Sequence, residues 1–193
     1  MEDVTLKTPR LTLRTMAPTH AAGLAAFFRR NEARLRPWDP PRPKGILEVP
    51  FWEAEGARAA ADQRDGAVVR WLMFGQDEPD RIVGRINYTQ IVRGPFQSCM
   101  LGYAIDGEFE GRGLMHEALQ ATLRHVFESL RLHRVQANHL PENLRSARLL
   151  QRLGFRVEGR AHAYLFINGA WRDHVLTALT YPDFDARVFD TDR

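Results

Sequence analysis

Between Glu110 and Met115 the chain reads Glu-Gly-Arg-Gly-Leu-Met, and the amphipathic run "LMHEALQ" grows directly out of it. A helix start leaves its first backbone N–H groups without partners. The helix macrodipole puts partial positive charge at the same end. Glycines on either side of Arg112 let a ligand come close to that backbone. These types at this spacing predict a helix N-terminus that holds phosphate groups, although an ordinary glycine-rich connection ahead of a core helix has the same local pattern. Two familiar nucleotide motifs are excluded. A P-loop needs lysine and then serine or threonine after its last glycine, and Gly113 is followed by Leu114 and Met115. A dinucleotide fingerprint needs glycine or alanine three residues after Gly113, where His116 stands.

Other reactive side chains are less telling by themselves. "DGEFE" places Asp106 and Glu108 just before the glycines, as a general base acting through water or as a solvated acidic turn. Asn143 and Ser146 in "ENLRSARLL" are residue types common at helix starts. His174 is a base or a hydrogen-bonded structural histidine, and Asn138 positions a water or caps a turn. Cys99 lies mid-strand between Ser98 and Met100, where a buried, inert cysteine is the common case. The histidines show no H-E-x-x-H and no paired spacing, so no metal is expected.

The elements that must position these residues follow from periodicity. "RLTLRTM" alternates as a strand, and Pro18 opens the helical stretch "HAAGLAAFFRRNEARL". "RPWDPPRPKG" is a proline-rich loop, and Pro50 suits the first turn of the helix "FWEAEGARAAADQRD". "AVVRWLMFG", "RIVGRINYTQIV" and "QSCMLGYAID" read as strands. The Gly113–Leu130 helix comes next, then a short strand in "HRVQANHL" and a helix in "PENLRSARLLQRLG". A closing hairpin turns at Asn168-Gly169. The tail after Tyr181, roughly 181–193, is expected to fray. Short connections imply antiparallel pairing, and the strand-helix-strand from Gln97 to Asn138 implies a parallel right-handed crossover. The expectation is a single domain with a mixed α/β fold, its twisted, mostly antiparallel sheet of about seven strands flanked by about four helices.

Composition sets broad bounds. The 193 residues carry a formal charge of +3, too little to argue for specific DNA binding. Arginine, which suits bidentate contacts to phosphate or carboxylate, greatly outnumbers lysine. A single cysteine excludes an intrachain disulfide and fits a reducing cytoplasm. No apolar run is long enough to span a bilayer, and "MEDVTLKTPRLTLRTM" lacks the apolar core of a signal peptide.

A strand ending in "LGYAID", then "EFEGRGLMHEAL", then a strand and "ENLRSARLLQRLGF" resembles the GNAT acyltransferase superfamily. With "LRPWDP", "VRGPFQSCMLGYAID" and "NGAWRDHVLTAL", the chain from Leu35 to Leu179 looks like the RimJ-type ribosomal-protein-alanine N-acetyltransferases. The resemblance implies a GNAT sheet splayed at the coenzyme site and direct transfer from acetyl-CoA, with no acyl-enzyme. The family's Q/R-x-x-G-x-G/A pattern falls on Glu110, Gly111, Arg112, Gly113, Leu114 and Met115, with Glu110 and Met115 departing from it. Glu110 is awkward beside a diphosphate, so its side chain is expected to turn away. The resemblance assigns the pantetheine arm to free backbone groups of Tyr103, Ala104, Ile105 and Asp106 and to Asn143. It makes Ser146 the proton donor to the leaving thiolate. The family's carboxylate base matches Gly107, so the adjacent Glu108 is the candidate. Trp38, Tyr164, Trp171 and Asp173 are placed beside the acceptor.

Three functions compete on the sequence. The first is acetylation of a protein N-terminal amine, specifically the alanine of a small-subunit ribosomal protein. The second is acetylation of a small amine such as an antibiotic or polyamine. The third is a ribosome-assembly factor that binds the ribosome or a preribosome; it ranks last because no basic low-complexity arm or single-strand stacking motif is present.

Overall fold

The computed structural model describes residues 4–189. Its strands are β1 (Thr5–Lys7), β2 (Leu11–Thr15), β3 (Val69–Gly75), β4 (Ile82–Val92), β5 (Ser98–Ile105), β6 (Arg134–Gln136), β7 (Arg156–Ile167) and β8 (Ala170–Thr180). Its helices are α1 (Ala21–Arg30), α2 (Glu32–Leu35), α3 (Val49–Arg64), α4 (Leu114–Arg124) and α5 (Leu144–Arg152). The strands form one eight-stranded sheet in the order β1-β2-β3-β4-β5-β6-β8-β7. Every neighbouring pair is antiparallel except β5 with β6.

The expected mixed, mostly antiparallel sheet is present, with one strand more than anticipated. The addition is β1, three residues paired to β2 at the sheet edge and too short to show an alternation. The helical stretch after Pro18 is also broken. Asn31, buried at φ −108°, ends α1, and its side-chain Nδ2–H donates to the Phe27 carbonyl. The hairpin turn forms as read, with Asn168 at φ 48° and Gly169 at φ 83°. Positive φ at both central residues is what a type I′ turn requires. At the start of the segment expected to fray, Tyr181 is held in place. Tyr181 stacks on Phe127 with ring centroids 5.2 Å apart, and its N–H donates to His133 O at 2.8 Å. Residues 190–193 lie outside the described residues.

Two apolar layers enclose the sheet. α4 buries Leu114, Met115, Ala118, Leu119, Thr122 and Leu123, the stripe of an amphipathic helix. With α5 it covers Trp71, Ile86, Tyr88 and Leu101 on one face, and Tyr103 and Ile105 pack against this core. α1 and α3 cover Leu72, Phe74, Ile82 and Ala104 on the other face. Odd-numbered residues of β5 therefore face α4 and α5, and Ala104 faces α1 and α3, as strand alternation demands.

The parallel ladder is short. It joins Ser98, Cys99 and Met100 to Arg134, Val135 and Gln136 and then stops, although β5 runs on to Ile105. The second half of β5 is paired only to β4, and the sheet opens beside it.

Candidate active site

Gly111 and Gly113 have φ 74° and 76°, a region that side chains with a Cβ rarely adopt. No atom lies within 4 Å of a Cβ built on Gly111. The glycines thus serve backbone conformation and leave the surface open. Gly113 is the N-cap of α4, and the helix's first bond runs from Glu117 N–H to Gly113 O. The N–H groups ahead of Glu117 consequently point out of the helix end. Met115, the departure from a small residue, turns into the core at 7% exposure.

A clamp that the sequence did not disclose sets this loop. Arg10 donates from Nε to Glu117 Oε2 at 2.7 Å, from its backbone N–H to Oε1 at 2.9 Å, and from Nη1 to the Arg112 carbonyl at 2.8 Å. Thr8 adds a hydroxyl bond to Glu117 Oε1 at 2.6 Å. Burial by itself would raise the Glu117 pKa, but the bonds from Thr8 and Arg10 outweigh it and hold the carboxyl below its ordinary value. A depressed folded pKa contributes stability that is complete above the ordinary value and lost as pH falls through the folded one. Urea unfolding of wild type and Glu117→Gln should therefore differ most above pH 4.5, the ordinary glutamate value, with the difference shrinking in acid. A difference independent of pH would show that the clamp does not depend on the carboxylate charge.

Glu110, the awkward acid, is neutralised. Arg34 Nη1 pairs with its Oε1 at 2.5 Å, and Arg145 at the start of α5 pairs with its Oε2. Arg34 also donates to the Ile105 carbonyl and, from Nη2, to Asn31 Oδ1 at 3.0 Å. It ties α2 to the end of β5.

The backbone of β5 divides its residues in two. Asp106 N–H donates to Val83 O at 2.8 Å, and the register sets Ala104 opposite Arg85 and Gly102 opposite Asn87. Hydrogen-bonded and non-hydrogen-bonded pairs alternate along an antiparallel ladder. Ala104 and Asp106 therefore point their backbone groups at β4, while Tyr103 and Ile105 point theirs the other way, where Arg34 already takes the Ile105 carbonyl and leaves its N–H to the opening. This corrects the expectation that Asp106 offers a free amide, and it leaves Tyr103 and Ile105 as the residues suited to grip an extended ligand. The Asp106 side chain is also taken, by Arg30 Nε at 3.1 Å and Glu108 N–H at 3.2 Å. Burial would raise its pKa; these bonds hold it below the ordinary value.

Across the opening, Asn143 caps α5 by accepting from Ser146 N–H at 3.1 Å. The cap uses one lone pair of its Oδ1, and the amide N–H groups remain for a ligand. Ser146 Oγ lies 2.7 Å from the Tyr103 hydroxyl, joining α5 to β5. Burial pushes the Tyr103 phenol up to about 12.

Glu108 is not brought to this pair. It sits in a short 3₁₀ turn, Gly107–Phe109, past the end of β5, and Arg81 Nη2 holds its Oε2 at 2.6 Å. Strand rise alone puts Asp106 about 10 Å beyond Tyr103, and Glu108 stands in the turn that follows. The side chain is an ion-pair partner on the β4 side, which speaks against the base role. Asp173 is likewise engaged within its hairpin, by Arg160 at 3.0 Å, His162 at 3.1 Å and Ala163 N–H at 3.0 Å. Ala163 has φ 47°, so Asp173 fastens a strained bulge.

Tyr164 OH accepts from Asn138 Nδ2 at 3.1 Å, and its ring lies 5.3 Å from that of buried His174. Asn138 Oδ1 takes Thr177 N–H at 3.3 Å, so this asparagine joins the chain beyond β6 to the hairpin. Trp38 ends a 3₁₀ turn, Arg36–Trp38, and Trp171 packs edge-on to Phe166; both are exposed. The proline-rich loop and the hairpin tip do meet, in a cleft of about 400 Å³ lined by Glu32, Arg36, Asp39, Arg42, Phe166 and the Asn168–Gly169 turn. Trp38, Tyr164 and Trp171 are not among its lining residues. Arg42 holds Asp39 at 2.9 Å and so shapes the loop. Cys99 is buried, and that burial pushes its thiol up to about 12. Among the described residues no cluster of His, Cys, Asp and Glu is placed to hold a metal ion. No described helix is long and apolar enough to cross a membrane.

Residues 10–156, which hold the glycine-framed helix start and the strand released from its parallel neighbour, match the family model described as "Acetyltransferase (GNAT) domain"; the chain belongs to that family. It is 41% identical over 181 residues to the [ribosomal protein uS5]-alanine N-acetyltransferase of Escherichia coli (strain K12), covering 94% of this chain and 93% of that protein. Among solved structures, the ribosomal-protein-S5-alanine acetyltransferase from Vibrio fischeri superposes with TM-score 0.91 at 32% identity, over 95% of this chain and all of the other. Mycobacterium smegmatis RimJ in complex with CoA-disulfide gives TM-score 0.83 at 30% identity, over 92% and 86% of the two chains. The chain is an enzyme of the N-acetyltransferase type.

Proposed function

We propose that this enzyme transfers acetyl from acetyl-CoA directly to the α-amine of a protein N-terminus, with the N-terminal alanine of a small-subunit ribosomal protein as its acceptor. The observation that carries this is similarity over nearly the whole chain, loop and hairpin included, to an enzyme named for that alanine. The pyrophosphate lies on the Gly111–Leu114 backbone at the start of α4. The pantetheine runs along the free edge of β5 against Tyr103 and Ile105, toward Ser146. The acceptor enters through the loop-and-hairpin cleft. Held this way, donor and acceptor react without a covalent enzyme intermediate, and much of the rate comes from orientation. Ser146 protonates the departing thiolate.

With Glu108 and Asp173 both engaged in ion pairs, deprotonation of the acceptor falls to water and to the amine's own acidity. A terminal amine has a pKa near 8 and lysine near 10.4, so at neutral pH the terminal amine is uncharged about 250 times more often. The test is a panel of an alanine-starting ribosomal peptide, an N-blocked peptide with an internal lysine, and small amines, with mass spectrometry locating the acetyl group. The expected result is strong preference for the free N-terminus, with the rate rising as pH climbs toward 8. Equal or faster acetylation of lysine or of a small amine would move the chain to another acceptor class.

The Arg10 clamp yields a second expectation. Arg10 is half exposed, so its bonds are screened. Arg10→Ala should weaken coenzyme A binding about three- to tenfold, with kcat at saturating coenzyme nearly kept. Calorimetric titration gives the answer, and an unchanged Kd would mean that the glycine loop holds its shape unaided.

A further inference from the structure

We propose that Tyr103 is a positioning residue for acetyl transfer: its hydroxyl donates to Ser146 Oγ and so leaves the serine's own proton free for the coenzyme sulfur. The inference rests on Ser146 being the proton donor, and it assigns a side-chain role to a residue whose backbone already faces the opening.

A serine hydroxyl has one proton and two lone pairs, and it rotates to suit its neighbours. An unrestrained Ser146 could spend that proton on any nearby acceptor. Two contacts remove the freedom. Asn143 Oδ1 fixes the Ser146 main chain at 3.1 Å, and the Tyr103 hydroxyl meets Oγ at 2.7 Å. The 2.7 Å contact allows either hydroxyl to donate, and the direction decides its effect. If serine donated to tyrosine, the proton would point away from the sulfur. With tyrosine donating, a lone pair of Oγ is filled and the serine proton turns elsewhere. Ser146 is the one hydrogen-bond partner of the Tyr103 hydroxyl among the described residues, so that hydroxyl has no competing acceptor within the protein. Burial keeps it protonated throughout the working range. Tyr103 also stands where the pairing of β5 to β6 has ended, on the face covered by α4 and α5. The ring thus reaches α5 alongside the strand edge that would hold the pantetheine.

In the step itself the acceptor nitrogen forms a bond to the acetyl carbon and the carbon–sulfur bond breaks. The electron pair leaves on sulfur, which takes the Ser146 Oγ proton. The proton shed by the new amide nitrogen returns through water to restore the serine. Tyr103 keeps its own proton and holds Oγ in place.

The experiment compares single-turnover acetyl transfer from enzyme-bound acetyl-CoA in wild type, Tyr103→Phe, Ser146→Ala and the double variant, with coenzyme A affinity measured on each. Phenylalanine keeps the ring packing and removes only the hydroxyl. Tyr103→Phe should slow transfer about tenfold, the effect of one lost hydrogen bond, with unchanged coenzyme affinity. In the Ser146→Ala background the same change should have no further effect, because the group it positions is gone. A tenfold loss repeated in that background, a wild-type rate in Tyr103→Phe, or a loss confined to coenzyme affinity would each overturn the proposal. A wild-type rate in Ser146→Ala would instead overturn the underlying assignment of the proton donor.

Discussion

Ser146→Ala is expected to lower kcat by about 10²–10⁴-fold, the range of a positioned general acid, while coenzyme A affinity stays within about twofold. The hydroxyl would act on a sulfur that becomes basic only as the thioester opens, so its interaction belongs to the transition state and not to the bound ground state. Losing it should therefore appear in kcat and kcat/KM together. Ser146 is half-buried and its N–H is held by Asn143, so alanine keeps the helix cap and the fold. A near-wild-type turnover with chemistry rate-limiting would remove the serine from the reaction.

Gly113→Val should abolish measurable coenzyme binding at concentrations that saturate wild type, a loss of about a hundredfold or more. A β-branched residue at φ 76° is strained whatever the space, and such strain costs about 1–3 kcal/mol. The nearest atom to an added Cβ is an Arg10 guanidinium nitrogen at 3.6 Å, an ordinary contact, so the effect comes from the backbone. Relief of the strain must re-aim the first N–H groups of α4, which are the proposed phosphate ligands. Gly66→Val is the matched control. Gly66 has φ 73° with nothing within 4 Å and lies just beyond α3. It should lose comparable stability and keep its Kd. A folded Gly113→Val with wild-type affinity would exclude this helix start as the phosphate site.

The fold was largely legible because local chemistry dictated it. The Asn168-Gly169 turn, the long apolar stripe of α4, and the helix-length link between β5 and β6 each carry their meaning within a few residues. What the sequence hid was long-range or brief. β1 is too short to alternate. The break at Asn31 depends on a buried amide that folding alone makes buried. The glycine loop was readable, but its clamp was not, since Arg10 and Glu117 stand 107 positions apart. The pairing of Glu110 with Arg34 spans 76 positions. A surface ion pair was one open reading of Asp173, but nothing at Glu108 announced that it would meet Arg81. The free edge of β5 was foreseen as a stretch of four residues, whereas only alternate ones face outward, a matter of register that depends on where β4 places Val83.

The three-residue ladder between β5 and β6 makes the sheet a pair of panels joined along an incomplete seam. An amide-bearing arm lying against Tyr103 and Ile105 would stitch that seam for part of each cycle, as an extra strand does permanently. The donor is then a temporary structural member as well as a reagent. Amide protons at Tyr103 and Ile105 should exchange slowly with solvent while it is bound and quickly once it leaves, with Ala104 between them indifferent to both events. Thermal midpoint should climb with donor concentration by ordinary mass action. Release of the spent coenzyme would then loosen the two panels, leaving the protein at its softest when it must accept the next donor.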